Sequence, residues 1–128
     1  MSIVERLAEL GITLPEAAAP VAAYKPVIVA GGLAYVSGQL PFIDGALVTG
    51  RLGEDVDVER GYAAARACGL MLIAQIRAAG IALDAVAQVV KLGAFISSSA
   101  DFTDQPRVAN GASELMAEVF GEAGVLGV

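Results

Sequence analysis

Residues 58–79 constrain this chain more than any other stretch. Val58, Tyr62, Ala65, Gly69, Leu72, Ile76 and Ala79 recur at alternating spacings of four and three. That rhythm keeps them on one side of an α-helix for about six turns. Asp57 supplies an N-cap, Glu59 sits favourably near the positive helix end, and Gly80 supplies a C-terminal stop. At about 1.5 Å per residue the helix runs roughly 33 Å. Small residues at positions 61, 63, 64, 65, 67, 68 and 69 let it lie close to a flat surface. A sheet presents such a surface, so the rest of the chain has to supply one.

Strand signals stand on both sides of this helix. Residues 27–30 and 33–37 flank Gly31-Gly32, a dipeptide suited to a tight hairpin turn. Pro41 closes the return strand, because proline cannot donate to a ladder. Asp44-Gly45 is a turn before a short strand at 46–48, and residues 50–55 form a loop. Residues 81–84 make a connecting turn. Residues 87–97 read as a long strand apolar on both faces, sandwiched between layers or lying at a subunit contact. A polar loop at 97–103 leads to a second helix from Pro106, with Val108, Ala112, Leu115 and Val119 as its stripe, Met116 and Phe120 alongside, and Gly121 at its end. An N-terminal helix at residues 2–10 has Ser2 as its N-cap and Ile3, Leu7 and Leu10 as its apolar side. Gly11 ends it, and an Ala/Pro-rich connector through Pro20 crosses a surface. The order predicts one α+β domain over residues 1–128, with one mixed sheet and two helices packed on one of its faces.

Composition narrows the function classes. A chain 56% hydrophobic and 17% charged is not intrinsically disordered, and it carries more apolar surface than a small monomer needs. Part of that surface is expected in a subunit interface. Eight Lys and Arg against fourteen Asp and Glu give a net charge of −6, which disfavours nucleic acids and anionic membranes as partners. The absence of histidine removes Ser-His-Asp and Cys-His catalysis and HExxH zinc sites. Cys68 stands alone and reads as a small buried helix residue. Residues 26–43 are charge-free, but Gly31-Gly32, Ser37-Gly38-Gln39 and Pro41 break them into strands and turns rather than a membrane span. With no apolar signal core behind Met1, the expectation is a cytoplasmic protein.

The chemistry then falls to carboxylates, Lys and Arg, Tyr, Ser and Thr, and water. Tyr24, Lys25, Ser37 and Gln39 flank the first hairpin, whose two ends lie on the same side and can share a rim. Tyr24 could equally be an edge aromatic, and Ser37-Gly38-Gln39 a strand terminator. Asn110 and Ser113, three apart, share a helix face. Lys91 inside an apolar strand either snorkels to the rim or pairs with an acid; it could also meet an anionic ligand. Asp55 and Asp57 read as loop and cap chemistry.

Tyr24, followed by Gly31-Gly32-Leu33-Ala34-Tyr35-Val36-Ser37-Gly38-Gln39-Leu40-Pro41, resembles the opening signature of the RidA/YjgF family, also called the endoribonuclease L-PSP family. The resemblance continues through the Ala-rich helix, residues 89–97 and residues 101–122. The N-terminal extension and Phe102-Thr103-Asp104-Gln105-Pro106 are similar to a longer-chain putative endoribonuclease subgroup. The resemblance implies a chorismate-mutase-like fold and a homotrimer with ligand sites in clefts between subunits. The implied activity is hydrolysis of reactive enamines and imines such as 2-aminoacrylate to a keto acid and ammonia, with no metal or cofactor. A non-catalytic trimer that binds small carboxylates is the alternative, and an endoribonuclease the third reading. Tyr24 and Ser37 carry over as cleft-lining, substrate-binding positions. The family's helix asparagine maps to Ser113 by the downstream Phe120-Gly121-Glu122 and to Asn110 by residue type. The family's Ala-Arg-Ser motif, whose arginine holds the substrate carboxylate, and its later glutamate have no counterpart here. The C-terminal strands are missing from the pattern, and residues 125–128 resemble part of the family segment that comes after the arginine motif. The expectation is that an arginine loop before residue 125 and a tail are left out of these 128 residues, rather than that the protein is truncated; a catalytic reading depends on that loop.

Overall fold

A computed structural model of the chain describes residues 1–127. The last residue of the 125–128 stretch therefore lies outside the described residues. The elements are α1 (Ile3–Glu9), β1 (Val27–Ala30), β2 (Leu33–Val36), β3 (Phe42–Ile43), β4 (Ala46–Leu47), α2 (Val58–Ala78) and α3 (Gln105–Phe120), with short 3₁₀ turns at Leu83–Ala85 and Gly121–Gly124. The class is α+β, with the local signals acting as read. Ser2 Oγ accepts from Glu5 N–H at 3.1 Å, and Asp57 Oδ1 from Arg60 N–H at 2.7 Å. Both cap helices whose first amides have no intrahelical partner. β1 and β2 pair antiparallel from Val27 opposite Val36 to Ala30 opposite Leu33. Gly31 and Gly32 close the turn at φ +58° and +77°, the left-handed region a two-residue hairpin requires.

The predicted single sheet does not form. β1–β2 and β3–β4 are two separate two-stranded sheets. Residues 87–97 are not a strand in either. Val89 N–H donates to Ala123 O, Gly127 N–H to Val90 O and Leu52 N–H to Ser97 O, all at the two ends of the segment. No ladder joins them along its middle among the described residues. Apolar alternation reports a surface that needs cover; it does not supply a neighbour with which to exchange amide bonds. Cover within the chain is partial: Val89 and Leu92 pack on the larger core and Ile96 on the smaller, while Val90 is half exposed and Phe95 fully exposed.

The larger core gathers Leu7, Leu14, Ile73, Leu83, Leu115, Met116, Val119 and Phe120; the smaller joins Leu52, Val56 and Val108. Of the α3 stripe, Val108, Leu115 and Val119 are buried, with Met116 and Phe120 alongside, and Ala112 is half-buried. Helix α2 is enclosed on more sides than its stripe implied, since Met71, Ile73, Ala74 and Gln75 are buried as well as Gly69. It meets α3 through two glycines: a methyl on Gly111 would collide with the Tyr62 carbonyl oxygen, and one on Gly69 would lie 2.9 Å from Leu115 Cδ2. Helix α1 is tied down by Ile3 N–H to Asp84 Oδ1 (2.8 Å) and Arg6 Nε–H to Glu118 O (2.9 Å).

Candidate functional site

The hairpin brings Tyr24 and Ser37 to one end, as antiparallel pairing requires. Ser37 N–H donates to Pro26 O at 2.9 Å, two residues from Tyr24. The Tyr24 side chain is exposed on the rim. Ser37 Oγ is buried and has no hydrogen-bond partner among the described residues. Such a hydroxyl costs about 1–3 kcal/mol when left unsatisfied, so it marks a place where something polar belongs.

The corner after β2 is wired to α2. Gln39 Nε2 donates to the Ser37 carbonyl at 3.0 Å, and the Gln39 carbonyl accepts from the Cys68 thiol at 3.4 Å. Burial raises the Cys68 pKa, keeping it a protonated donor rather than a thiolate nucleophile. Gln75, 4% exposed, donates through Nε2 to Ala18 O at 2.8 Å and to Gln39 Oε1 at 3.4 Å. Sequence reasoning missed Gln75. Its one signal was an amide inside the apolar run Ile73-Ala74-Gln75-Ile76.

Asn110 and Ser113 do not join this corner within one chain. Cys68 and Gln75 turn toward Gln39, whereas Tyr62 and Gly69 turn toward α3. At 100° per residue the two pairs lie roughly 100–140° apart around α2. Asn110 lines an open groove of about 330 Å³ with Val58, Glu59, Tyr62, Arg107 and Glu114. Ser113 Oγ lies 3.4 Å from Ala109 O, a bond back into its own helix. Lys91 is exposed and makes no ion pair among the described residues, so it is not paired with an acid there. Asp55 accepts from Arg51 N–H at 2.7 Å; together with the Asp57 cap this is the loop chemistry read from the sequence.

In the groove the Tyr62 hydroxyl donates to Glu114 Oε2 at 2.6 Å. That bond, then burial and the Glu114 charge, raise the Tyr62 pKa. A phenol with a raised folded-state pKa contributes stability below its unfolded pKa, and that contribution is lost as pH rises through the folded value. In an alkaline absorbance titration one tyrosine is therefore expected to ionise above the ordinary range, and Tyr62→Phe should remove that step. If the step that Tyr62→Phe removes lies in the ordinary tyrosine range, the bond is refuted.

Among the described residues no group of three His, Cys, Asp or Glu converges on a metal site, and no helix is long and apolar enough to cross a membrane. The family model described as YjgF/chorismate mutase-like, putative endoribonuclease matches residues 4–127. Protein TCP17 of Trypanosoma cruzi is 50% identical over 121 residues, covering 94% of this chain and 76% of that protein. A crystal structure of a protein of unknown function from Agrobacterium tumefaciens shares 43% identity at a TM-score of 0.85, covering 98% of this chain and 76% of its own. A crystal structure described as a putative endoribonuclease from Shewanella oneidensis shares 36% identity at a TM-score of 0.91, covering 98% and 84%.

Proposed function

This chain belongs to the YjgF/chorismate mutase-like, putative endoribonuclease family, and from that premise we propose that it hydrolyses small carboxylate-bearing enamines and imines in clefts where copies of the chain meet. The buried, unpartnered hydroxyl of Ser37 carries the reading. Hydrolysis of an imine asks little of a protein. Water adds to the C=N carbon, the carbinolamine collapses, and ammonia leaves with the keto acid behind. The site must hold the carboxylate, orient the nitrogen and place the water. Ser37 Oγ offers one donor and two lone pairs in a spot withdrawn from bulk water. Tyr24 stands at the same end of the hairpin, and Lys25 beside it makes no ion pair among the described residues. Arg51 and Arg107 are engaged by Glu54 and Asp104. Asn110 and Ser113 do not join this corner within one chain, so a site that includes them would be a cleft between copies, as in the homotrimer proposed here.

An RNA substrate fits less well. The description of the Shewanella oneidensis protein names RNA cleavage, but this chain carries −6, and Glu59 and Glu114 line its groove. Adding enzymatically generated 2-aminoacrylate and following pyruvate tests the proposal. Release well above the uncatalysed rate is expected of a protein that carries the carboxylate-binding arginine loop. Ser37→Ala and Tyr24→Phe should each lower kcat/KM by roughly tenfold, the worth of one hydrogen bond in a dry site, with Tm within a few degrees. No release leaves binding without catalysis. Large stability losses with unchanged turnover would return both residues to structural roles.

A further inference from the structure

We infer that Gln75 is a positioning residue that locks the N-terminal connector, residues 13–21, and the Ser37–Gln39 corner into one wall; its value to catalysis rests on the function proposed above. A glutamine enclosed in the body of a helix is costly unless its amide is used, and here it is used toward chain segments far apart in sequence. One Nε2 hydrogen goes to Ala18 O on the connector and the other to Gln39 Oε1 on the corner. Gln39 passes the constraint on, donating its own amide to the Ser37 carbonyl. Two further side chains of α2 grip the same segments through polar contacts. Met71 Sδ accepts from Ala18 N–H at 3.4 Å and the Cys68 thiol donates to the Gln39 carbonyl at 3.4 Å. Positions 68, 71 and 75 are spaced three and four apart, so one stripe of α2 reads the connector and the corner together. The connector has no helix or strand of its own; these bonds help set its path to Tyr24. The two residues expected to face the ligand, Tyr24 and Ser37, are thereby referenced to the same buried amide.

Hydrogen exchange on the full chain tests the coupling without any assay of activity. In Gln75→Met, which keeps the length and the apolar packing, peptides covering 13–21 and 36–41 should both exchange roughly five- to tenfold faster, the change in opening that one net hydrogen bond supports. In Gln39→Met only the 36–41 peptide should change, and this variant, altered outside the core, answers the question if Gln75→Met does not fold. Faster exchange in one segment only for Gln75→Met, or in both for Gln39→Met, would overturn the inference. If wild type releases pyruvate from 2-aminoacrylate, Gln75→Met should raise KM several-fold with a smaller change in kcat, and an unchanged KM would also overturn it. If wild type releases none while the exchange pattern holds, the positioning role stands and the hydrolase reading falls.

Discussion

Gly111→Ala is expected to cost roughly 3 kcal/mol, a large share of the 5–15 kcal/mol that holds a small domain together. In an open helix the same change would stabilise by about 0.5–1 kcal/mol, because alanine loses less backbone freedom on folding. The sign is reversed by what faces the new methyl. At Gly111 it meets backbone on α2, the Tyr62 carbonyl oxygen and Arg66 N, the latter at 3.0 Å. Backbone inside a helix cannot step aside without breaking its ladder, so α2 and α3 have to separate. Their shared layer includes Ile73, Leu115 and Val119, among the most deeply buried side chains of the chain. Overpacking a tight core costs about 1–3 kcal/mol where side chains can adjust, and more where they cannot. Gly69→Ala is the internal control. Its methyl meets Leu115 Cδ2 at 2.9 Å, the far end of a side chain that can rotate, so the cost should be near 1 kcal/mol or less. Urea denaturation should show a clearly lower midpoint for Gly111→Ala than for Gly69→Ala. Equal midpoints would mean that the two helices are not held at the distance described.

The features legible in the sequence are those that a few neighbouring residues decide. Ser2 and Asp57 cap because an oxygen on the Ncap side chain reaches an amide three residues on, whatever the rest of the chain does. Gly31-Gly32 turns because both residues tolerate positive φ. From that turn, Tyr24 and Ser37 come to the same end of the hairpin by register alone. Residues 87–97 failed as a strand because a ladder needs a second backbone, and sequence alternation carries no information about whether one is near. Asn110 and Ser113 share a helix face as expected, yet which way that face points was decided by Gly111 seating against Tyr62. Gln75 was invisible for a related reason: its partners, Ala18 and Gln39, lie 57 and 36 residues away, and no local pattern announces a long-range amide.

The wild-type protein is expected to run as an assembly by light scattering at micromolar concentration, and Phe95→Asp is expected to reduce it to the mass of a single chain. Phe95 is fully exposed in the single chain, and Val90 on the same segment is half exposed. The hairpin adds Ile28 at 46% and Tyr35 at 59%. Burying a phenylalanine is worth about 1.5–3 kcal/mol. In a closed ring of three copies the contact repeats in every subunit, so the side chains together contribute about 6 kcal/mol. That corresponds to about four decades in the assembly constant, enough to move a micromolar association beyond reach. An aspartate in its place adds the cost of desolvating a charge with no partner. The fold of each chain should survive, because Phe95 belongs to neither hydrophobic cluster, so the helical circular dichroism should stay the same. Leu92 would be a poorer probe: it packs on the larger core of its own chain, and a charge there would confuse unfolding with dissociation. Val4, exposed on α1, serves as the control, since Val4→Asp puts the same charge on an exposed helix position outside the segment and should leave the mass unchanged. A Phe95→Asp protein that keeps its assembly would take Phe95 out of the interface; a monomeric wild type would remove the subunit cleft. Ser37 would then have to find its polar partner within one chain, and Asn110 and Ser113 would lose their route to it.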